Sequence, residues 1–67
     1  MSAPADFTIQ HEGSISLLHP NSDAAREWVE EHIPLDALRH GPAVVVEHRY
    51  ISDIEFGIIN DGLSVEV

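Results

Sequence analysis

The sequence predicts a small α+β domain with a ferredoxin-like βαββαβ order, in which two helices pack on one face of an antiparallel sheet. Three observations predict it. Apolar residues alternate with polar ones near both ends of the chain, two segments carry apolar residues at helical spacing, and a valine run lies between them. At 67 residues we expect a single domain with a thin core, and residues 1–6 are predicted to be disordered.

The N-terminal elements are a predicted hairpin. Phe7 and Ile9 alternate with polar residues, and Ile15 and Leu17 do so again after the Gly-containing stretch HEGS. This pattern predicts two short strands joined by a turn. The first is additional to the βαββαβ order and is open to interpretation as a frayed edge of the sheet.

The first helix is predicted from its start and stop signals. Asn21 or Ser22 is a suitable N-cap, and Asp23 lies in the first turn, where the helix dipole favours an acid. Apolar residues at helical spacing continue to about Ile33, and Pro34 stops the helix.

Two strands are predicted between the helices. The stretch LDALRHGP is ambiguous but fits a short strand near residues 37–40 that turns at Gly41 and Pro42. The consecutive apolar residues 43–46 predict a strand covered on both faces at the centre of the sheet. Without the strand near 37–40, a smaller sheet with the same two helices remains.

The C-terminal third is predicted to be a helix followed by a strand. From about Tyr50, apolar residues recur at helical spacing, and Gly62 in NDG suits a left-handed C-terminal cap. Alternation then predicts a half-buried final strand. The helical residues are Ile51, Ile54 and Ile58, and those of the strand are Leu63, Val65 and Val67.

Charge is the unusual feature of the composition. Twelve Asp and Glu face three Arg and no Lys, which gives a formal net charge of −9. Soluble surfaces normally mix both signs, because an excess of one sign repels itself. Proteins bind nucleic acids and anionic membranes through Lys and Arg. The composition therefore predicts no direct binding of DNA, RNA or an anionic membrane.

The first helix concentrates this charge. Its acids are spaced i, i+4 and i+8 with one beside them, whereas its apolar side faces the predicted core. Twelve helical residues span about 18 Å, so the acids recur about every 4 to 5 Å, against about 3.4 Å between phosphates along a DNA strand. The stripe is interpreted either as a solvated face or as a mimic of phosphates. Its acids are Asp23, Glu27, Glu30 and Glu31, and the inward set is Ala25, Trp28, Val29 and His32.

The second helix breaks its own apolar pattern. Position 55 falls near the centre of the inward stripe and position 56 points away from it, yet these residues are Glu55 and Phe56. Either the apolar face is broad enough to bury part of Phe56, or Phe56 is an exposed anchor for a partner while Glu55 reaches past the rim to water.

Several functional classes lack support in the sequence. Cysteine is absent, which excludes disulfides and thiolate metal sites. There is no GxSxG motif or phosphate-binding Gly-rich loop, and a chain of this size has little room for a cleft between paired carboxylates. The five histidines do not have the spacing typical of metal ligands; they are His11, His19, His32, His40 and His48. Taken together, these observations predict no enzyme, no bound metal and no cofactor. No stretch resembles a membrane span or signal peptide, so we expect a soluble cytoplasmic protein.

Three stretches carry a resemblance that covers the chain from about Phe7 to Val67. GSISLLHPNSDAAREWVEEHI, VVVEHRYISDI and NDGLSVEV resemble small proteins carried by phages and mobile elements of proteobacteria. Some such acidic proteins are anti-CRISPR proteins, and this chain resembles an inhibitor of a type I surveillance complex, with type I-C as the candidate subtype. The resemblance implies inhibition by occupying a DNA-binding surface in the bacterial host cytoplasm. DIEF at 53–56 departs from the order expected of such proteins, in which the apolar residue precedes the acid.

The first hypothesis is therefore a monomeric, non-enzymatic DNA mimic whose acids pair with Lys and Arg of a CRISPR surveillance complex subunit. The alternatives are a mobile-element interaction module, such as a regulatory subunit or antitoxin-like protein, with an apolar contact at Phe56, and a small-molecule or metal-binding domain. The predicted acidic surface comprises Asp23, Glu27, Glu30, Glu31, Asp36, Glu47, Asp53 and Asp61.

Overall fold

A computed structural model describes residues 5–34 and 36–67 of the chain. These residues form a small α+β fold with a five-stranded, mostly antiparallel sheet and two helices. The elements in chain order are β1 (Phe7–Glu12), β2 (Ile15–Pro20), α1 (Asp23–His32), β3 (Arg39–His40), β4 (Ala43–Glu47), α2 (His48–Asn60) and β5 (Val65–Glu66). Every predicted element is present, although β3 and β5 are only two residues long.

The strand order is β3-β4-β2-β1-β5. β1 and β2 form the predicted hairpin, in which Phe7 lies opposite Pro20 and Glu12 lies opposite Ile15. β2 also pairs antiparallel with β4, and β4 with β3, whereas β1 and β5 are parallel. β2 is therefore the central strand, and the prediction that residues 43–46 form the centre of the sheet is wrong.

The ferredoxin-like order is not confirmed because of where β1 lies. β2, β3 and β4 are arranged as in that order, with β4 between two parallel strands joined through α1. The ferredoxin-like order would place β5 beside β2, but β1 occupies that position and β5 pairs with β1 instead. The N-terminal strand is thus an internal strand of the sheet and not a frayed edge.

Local signals account for the helix ends. Ser22 is the N-cap of α1, and its hydroxyl accepts a hydrogen bond from the Ala25 amide at 3.1 Å. α1 ends at His32, just before Ile33 and Pro34. α2 begins at His48, two residues earlier than predicted, and ends ahead of Gly62, whose φ of 88° is the left-handed conformation that favours glycine.

One apolar core lies between the sheet and both helices. Side chains alternate along a strand, so the strand residues of the core cluster, Phe7, Ile9, Leu18, Val44 and Val46, point to one sheet face. They cluster with the buried residues of α1 and α2, which places both helices on that face, as predicted. The core residues are Phe7, Ile9, Leu18, Ala25, Trp28, Val29, Val44, Val46, Ile51 and Ile58. Phe7 packs edge-on against Trp28, with ring centroids 5.8 Å apart.

Asp6 joins three distant parts of the chain. Its carboxylate accepts hydrogen bonds from the Ser22 hydroxyl at 2.7 Å and from the Ser64 amide at 3.0 Å. The Ser22 hydroxyl and the Ser64 amide hold the pKa of Asp6 below its usual value, because both bonds favour the charged carboxylate. Asp6 falls in the segment predicted to be disordered, of which residues 1–4 lie outside the described residues.

Candidate functional site

The acidic stripe of α1 lies on its solvent side. Ala25, Trp28 and Val29 are buried against the sheet, so the opposite side of the helix carries the acids. All four are exposed: Asp23, Glu27, Glu30 and Glu31. Among the described residues, the only ion pair of these acids is that of Asp23 with Arg26, at 2.8 Å. We call these four residues the α1 acidic surface.

Two arginines border this surface on one side. Arg26 and Arg39 line a shallow cleft of about 470 Å³ together with Glu30. Arg39 reaches it from β3, while Arg26 projects from α1 itself. The cleft therefore places two arginines beside Glu30, at one border of the α1 acids.

Three other predicted acids are exposed and belong to other parts of the chain than α1. Asp53 projects from the solvent side of α2, on the same side of the sheet as α1. Asp36 lies in the connection between α1 and β3, and Glu47 ends β4. Glu47 forms an ion pair with Arg49 at 3.1 Å, which offsets part of its charge.

Asp61 has a structural contact that the sequence reading missed. Its carboxylate accepts a hydrogen bond from the Trp28 indole at 2.7 Å, and His32 Nε2 lies 3.5 Å away. The His32 ring stacks on Trp28 at 4.3 Å between centroids, and its Nδ1 lies 2.9 Å from the Trp28 carbonyl oxygen. His32, predicted to point inward, is instead exposed at the edge of the core. Asp61 thus ties the C-terminal ends of the two helices together.

Phe56 is exposed, so the apolar face of α2 is not broad enough to bury most of it. Its side chain is 72% accessible, and Ile59, one turn further along α2, is also exposed. Glu55, near the centre of the predicted inward stripe, is half-buried. Phe56 and Ile59 form the Phe56 patch, a small exposed apolar surface on α2 that is not part of the core.

A second apolar surface was not predicted. A groove of about 620 Å³ lies between the C-terminal part of α1, the outer edge of β4 and the first half of α2. Leu38 and Tyr50 line it and are 71% and 48% accessible. We call it the β4 groove; its lining is Trp28, His32, Ile33, Pro34, Ala37, Leu38, Val44, Val45, Val46, Glu47, Tyr50 and Ile54. The available signal was Leu38 and Tyr50, two large apolar residues that no predicted core stripe included.

Within 5–34 and 36–67, no group of three or more His, Asp or Glu is placed to hold a metal ion. His11 and His48 form an edge-on pair 5.6 Å apart, and His11 lies 3.3 Å from the hydroxyl of buried Ser16. In the same part of the chain, neither helix is long and apolar enough to cross a membrane.

Comparisons with protein-family models, with curated proteins and with solved structures found no match to this chain.

Proposed function

We propose that the protein is a non-enzymatic inhibitor whose α1 acidic surface binds a basic, nucleic-acid-binding surface of a partner protein. The observation that carries the proposal is the exposure of all four α1 acids on one side of one helix. The narrower target, a type I CRISPR surveillance complex, rests on the resemblance of the three sequence stretches. Target DNA would then be excluded because the inhibitor occupies its binding surface.

The spacing of the acids supports mimicry of a phosphate backbone. α1 has ten residues, so it is about 15 Å long and carries one carboxylate about every 4 Å. Phosphates of one DNA strand recur about every 3.4 Å along the helix axis. Lys and Arg side chains that bind phosphates also bind carboxylates through charge-assisted hydrogen bonds.

The ion-pair pattern also supports the proposal. Glu27, Glu30 and Glu31 have no basic side chain within 4 Å among the described residues. A partner can therefore bind them without breaking an ion pair inside this protein. The cost of their mutual repulsion is also relieved when basic groups of a partner come close.

The test is inhibition of target-DNA binding by a purified type I surveillance complex, measured at low and high salt. Glu27→Lys with Glu31→Lys reverses two acids of the α1 acidic surface. Glu12→Lys with Glu66→Lys changes the net charge equally, but these exposed residues lie on the sheet face that the helices do not cover. The second variant is thus a matched control for total charge.

We expect the α1 variant to inhibit about tenfold more weakly, since each lost exposed pair contributes about 0.2–1 kcal/mol and repulsion replaces it. The control variant is expected to inhibit nearly as well as the unchanged protein. Inhibition by the unchanged protein should also weaken steeply with salt. Equal inhibition by both variants, or inhibition that is insensitive to salt, would show that α1 does not act as a phosphate mimic.

The alternative, an interaction module with an apolar contact, is favoured by the exposure of Phe56. Burial of an aromatic anchor often supplies much of the energy of a protein interface. Phe56→Ala separates the two proposals in the same assay. A large loss of partner binding supports the module, whereas an unchanged affinity supports the α1 acidic surface.

A further inference from the structure

Two histidines from distant parts of the chain lie side by side. His11 is near the end of β1, and His48 is the first residue of α2. Their rings are edge-on, with centroids 5.6 Å apart. Both residues are exposed, so ions from solvent can reach the pair. Sequence spacing could not predict this contact, because only the folded sheet brings the two residues together.

Hydrogen bonds hold both histidines in place. The Nδ1 of His11 lies 3.3 Å from the hydroxyl of Ser16, which is fully buried. The His48 amide donates to the Ser14 carbonyl oxygen at 3.0 Å, which fixes the start of α2 beside the turn between β1 and β2. In metal sites, a hydrogen bond to one ring nitrogen of a histidine orients the other nitrogen toward the metal. Ser16 can orient His11 in this way, with Nε2 as the ligand.

The distance between the rings suits two ligands of one ion. With zinc–nitrogen bonds of about 2.1 Å, two imidazole rings bound in a tetrahedral arrangement have centroids roughly 5 Å apart. The observed separation of 5.6 Å is close to this value. The rings therefore need only rotate about their side-chain bonds to present one nitrogen each to the same ion.

The ligand atoms select the class of metal. Imidazole nitrogen suits Zn²⁺, Ni²⁺ and Cu²⁺, whereas Mg²⁺ and Ca²⁺ take oxygen ligands. Glu47 lies beside His48 in a cleft of about 530 Å³, but it is paired with Arg49 at 3.1 Å. Within residues 5–34 and 36–67, no carboxylate completes a group of three ligands with the two histidines. Water would therefore supply the remaining ligands.

We propose that His11 and His48 form a site for a divalent transition-metal ion such as Zn²⁺, which joins the end of β1 to the start of α2. The net charge of −9 favours the approach of such a cation. Because the ion bridges residues that only folding brings together, it should raise the unfolding temperature. Neither histidine belongs to α1, so this proposal does not depend on the function proposed for the α1 acidic surface.

Calorimetric titration of Zn²⁺ into the full-length protein tests the site at about pH 7.5, where imidazole is neutral. We expect one ion per chain, bound equally well in a large excess of Mg²⁺. His11→Gln and His48→Gln should each weaken binding at least about tenfold, since loss of even an outer partner of a metal ligand costs that much. His40→Gln removes an exposed histidine of β3 and should leave the affinity unchanged. In the unchanged protein, Zn²⁺ should shift the imidazole NMR signals of His11 and His48 but not those of His40.

Four results would overturn the proposal. Absence of saturable Zn²⁺ binding would show that the pair holds no ion. Loss of binding in excess Mg²⁺ would assign the ion to exposed carboxylates. Equal affinity of His11→Gln and His40→Gln would place the ion elsewhere. Unshifted imidazole signals of His11 and His48 would do the same without any substitution, which removes the possibility that a variant fails only because it is misfolded.

Discussion

Asp61 offers a test of how the two helices are held together. It is the C-cap of α2, and its carboxylate accepts a hydrogen bond from the indole of Trp28, the only tryptophan in the sequence. Asp61→Ala removes the acceptor of the Trp28 indole hydrogen bond, which is 2.7 Å long. It also removes the carboxylate beside His32. Asp53→Ala removes an exposed α2 acid that has no hydrogen bond or ion pair among the described residues, so it serves as the matched control.

The expected magnitude follows from the geometry. A hydrogen bond to a charged group contributes about 1.5–3 kcal/mol when it is buried. The Asp61 side chain is 44% accessible, so water can replace part of the lost bond and we expect the lower end of that range. Asp61→Ala should therefore lower the free energy of unfolding by about 1.5 kcal/mol, and Asp61→Asn, which keeps an acceptor but not the charge, by about half as much.

Urea unfolding followed by Trp28 fluorescence measures this change. For a domain of this size the unfolding free energy falls by about 1 kcal/mol per molar urea, so Asp61→Ala should lower the midpoint by about 1.5 M. Asp53→Ala should change it by no more than about 0.5 M, as surface substitutions do. Equal midpoints for the two variants would refute the role of Asp61 in joining the helices.

Two further predictions concern acid stability and the glycines. The pKa of Asp6 is lowered in the folded protein by Ser22 and Ser64, so its stabilising effect is present above the unfolded value of 3.8 and is lost as the pH falls through the folded pKa. Below about pH 4, the stability of Asp6→Asn should therefore depend less on pH than that of the unchanged protein, as measured in acid titrations followed by circular dichroism. An equal pH dependence of the two proteins would contradict this. Gly57→Ala should raise the unfolding free energy by about 0.5–1 kcal/mol, because Ala is favoured over Gly inside a helix and the added β-carbon would lie 3.6 Å from its nearest neighbour, an ordinary contact distance. Gly62→Ala should lower the unfolding free energy by about 1 kcal/mol, because Gly62 has a φ of 88°. Thermal unfolding of both variants measures the difference, and a shift of the same sign in both would contradict it.

Much of the secondary structure could be predicted because its signals are local. The Ser22 cap, the proline after α1 and the left-handed Gly62 fix helix ends within a few residues of sequence. The order of the sheet could not be predicted in the same way. Strand pairing depends on contacts between distant residues. The sequence of a hairpin strand such as β1 does not indicate whether the strand lies at the edge of the sheet or inside it.

The candidate surfaces were predictable to different degrees. The α1 acidic surface follows from helical periodicity, which also sets the inward side of the helix. The role of Asp61 could not be predicted, because it depends on how close the ends of the two helices lie. The β4 groove could not be predicted, because it depends on β3 ending after two residues. Phe56 was singled out by the sequence, but its exposure depended on how broad the apolar face of α2 is.

The position of β1 between β2 and β5 has a consequence for synthesis of the protein. β5 and the Asp6 contacts join residues 58 positions apart, so a nascent chain can form the hairpin and α1 early but cannot complete the sheet until Ser64 and Val65 have left the ribosome. Closing such a long loop costs entropy that local contacts do not, and this slows the step. Until then the outer backbone edge of β1 at Phe7 and Thr8, where β5 pairs in the folded protein, is open to pairing with other chains.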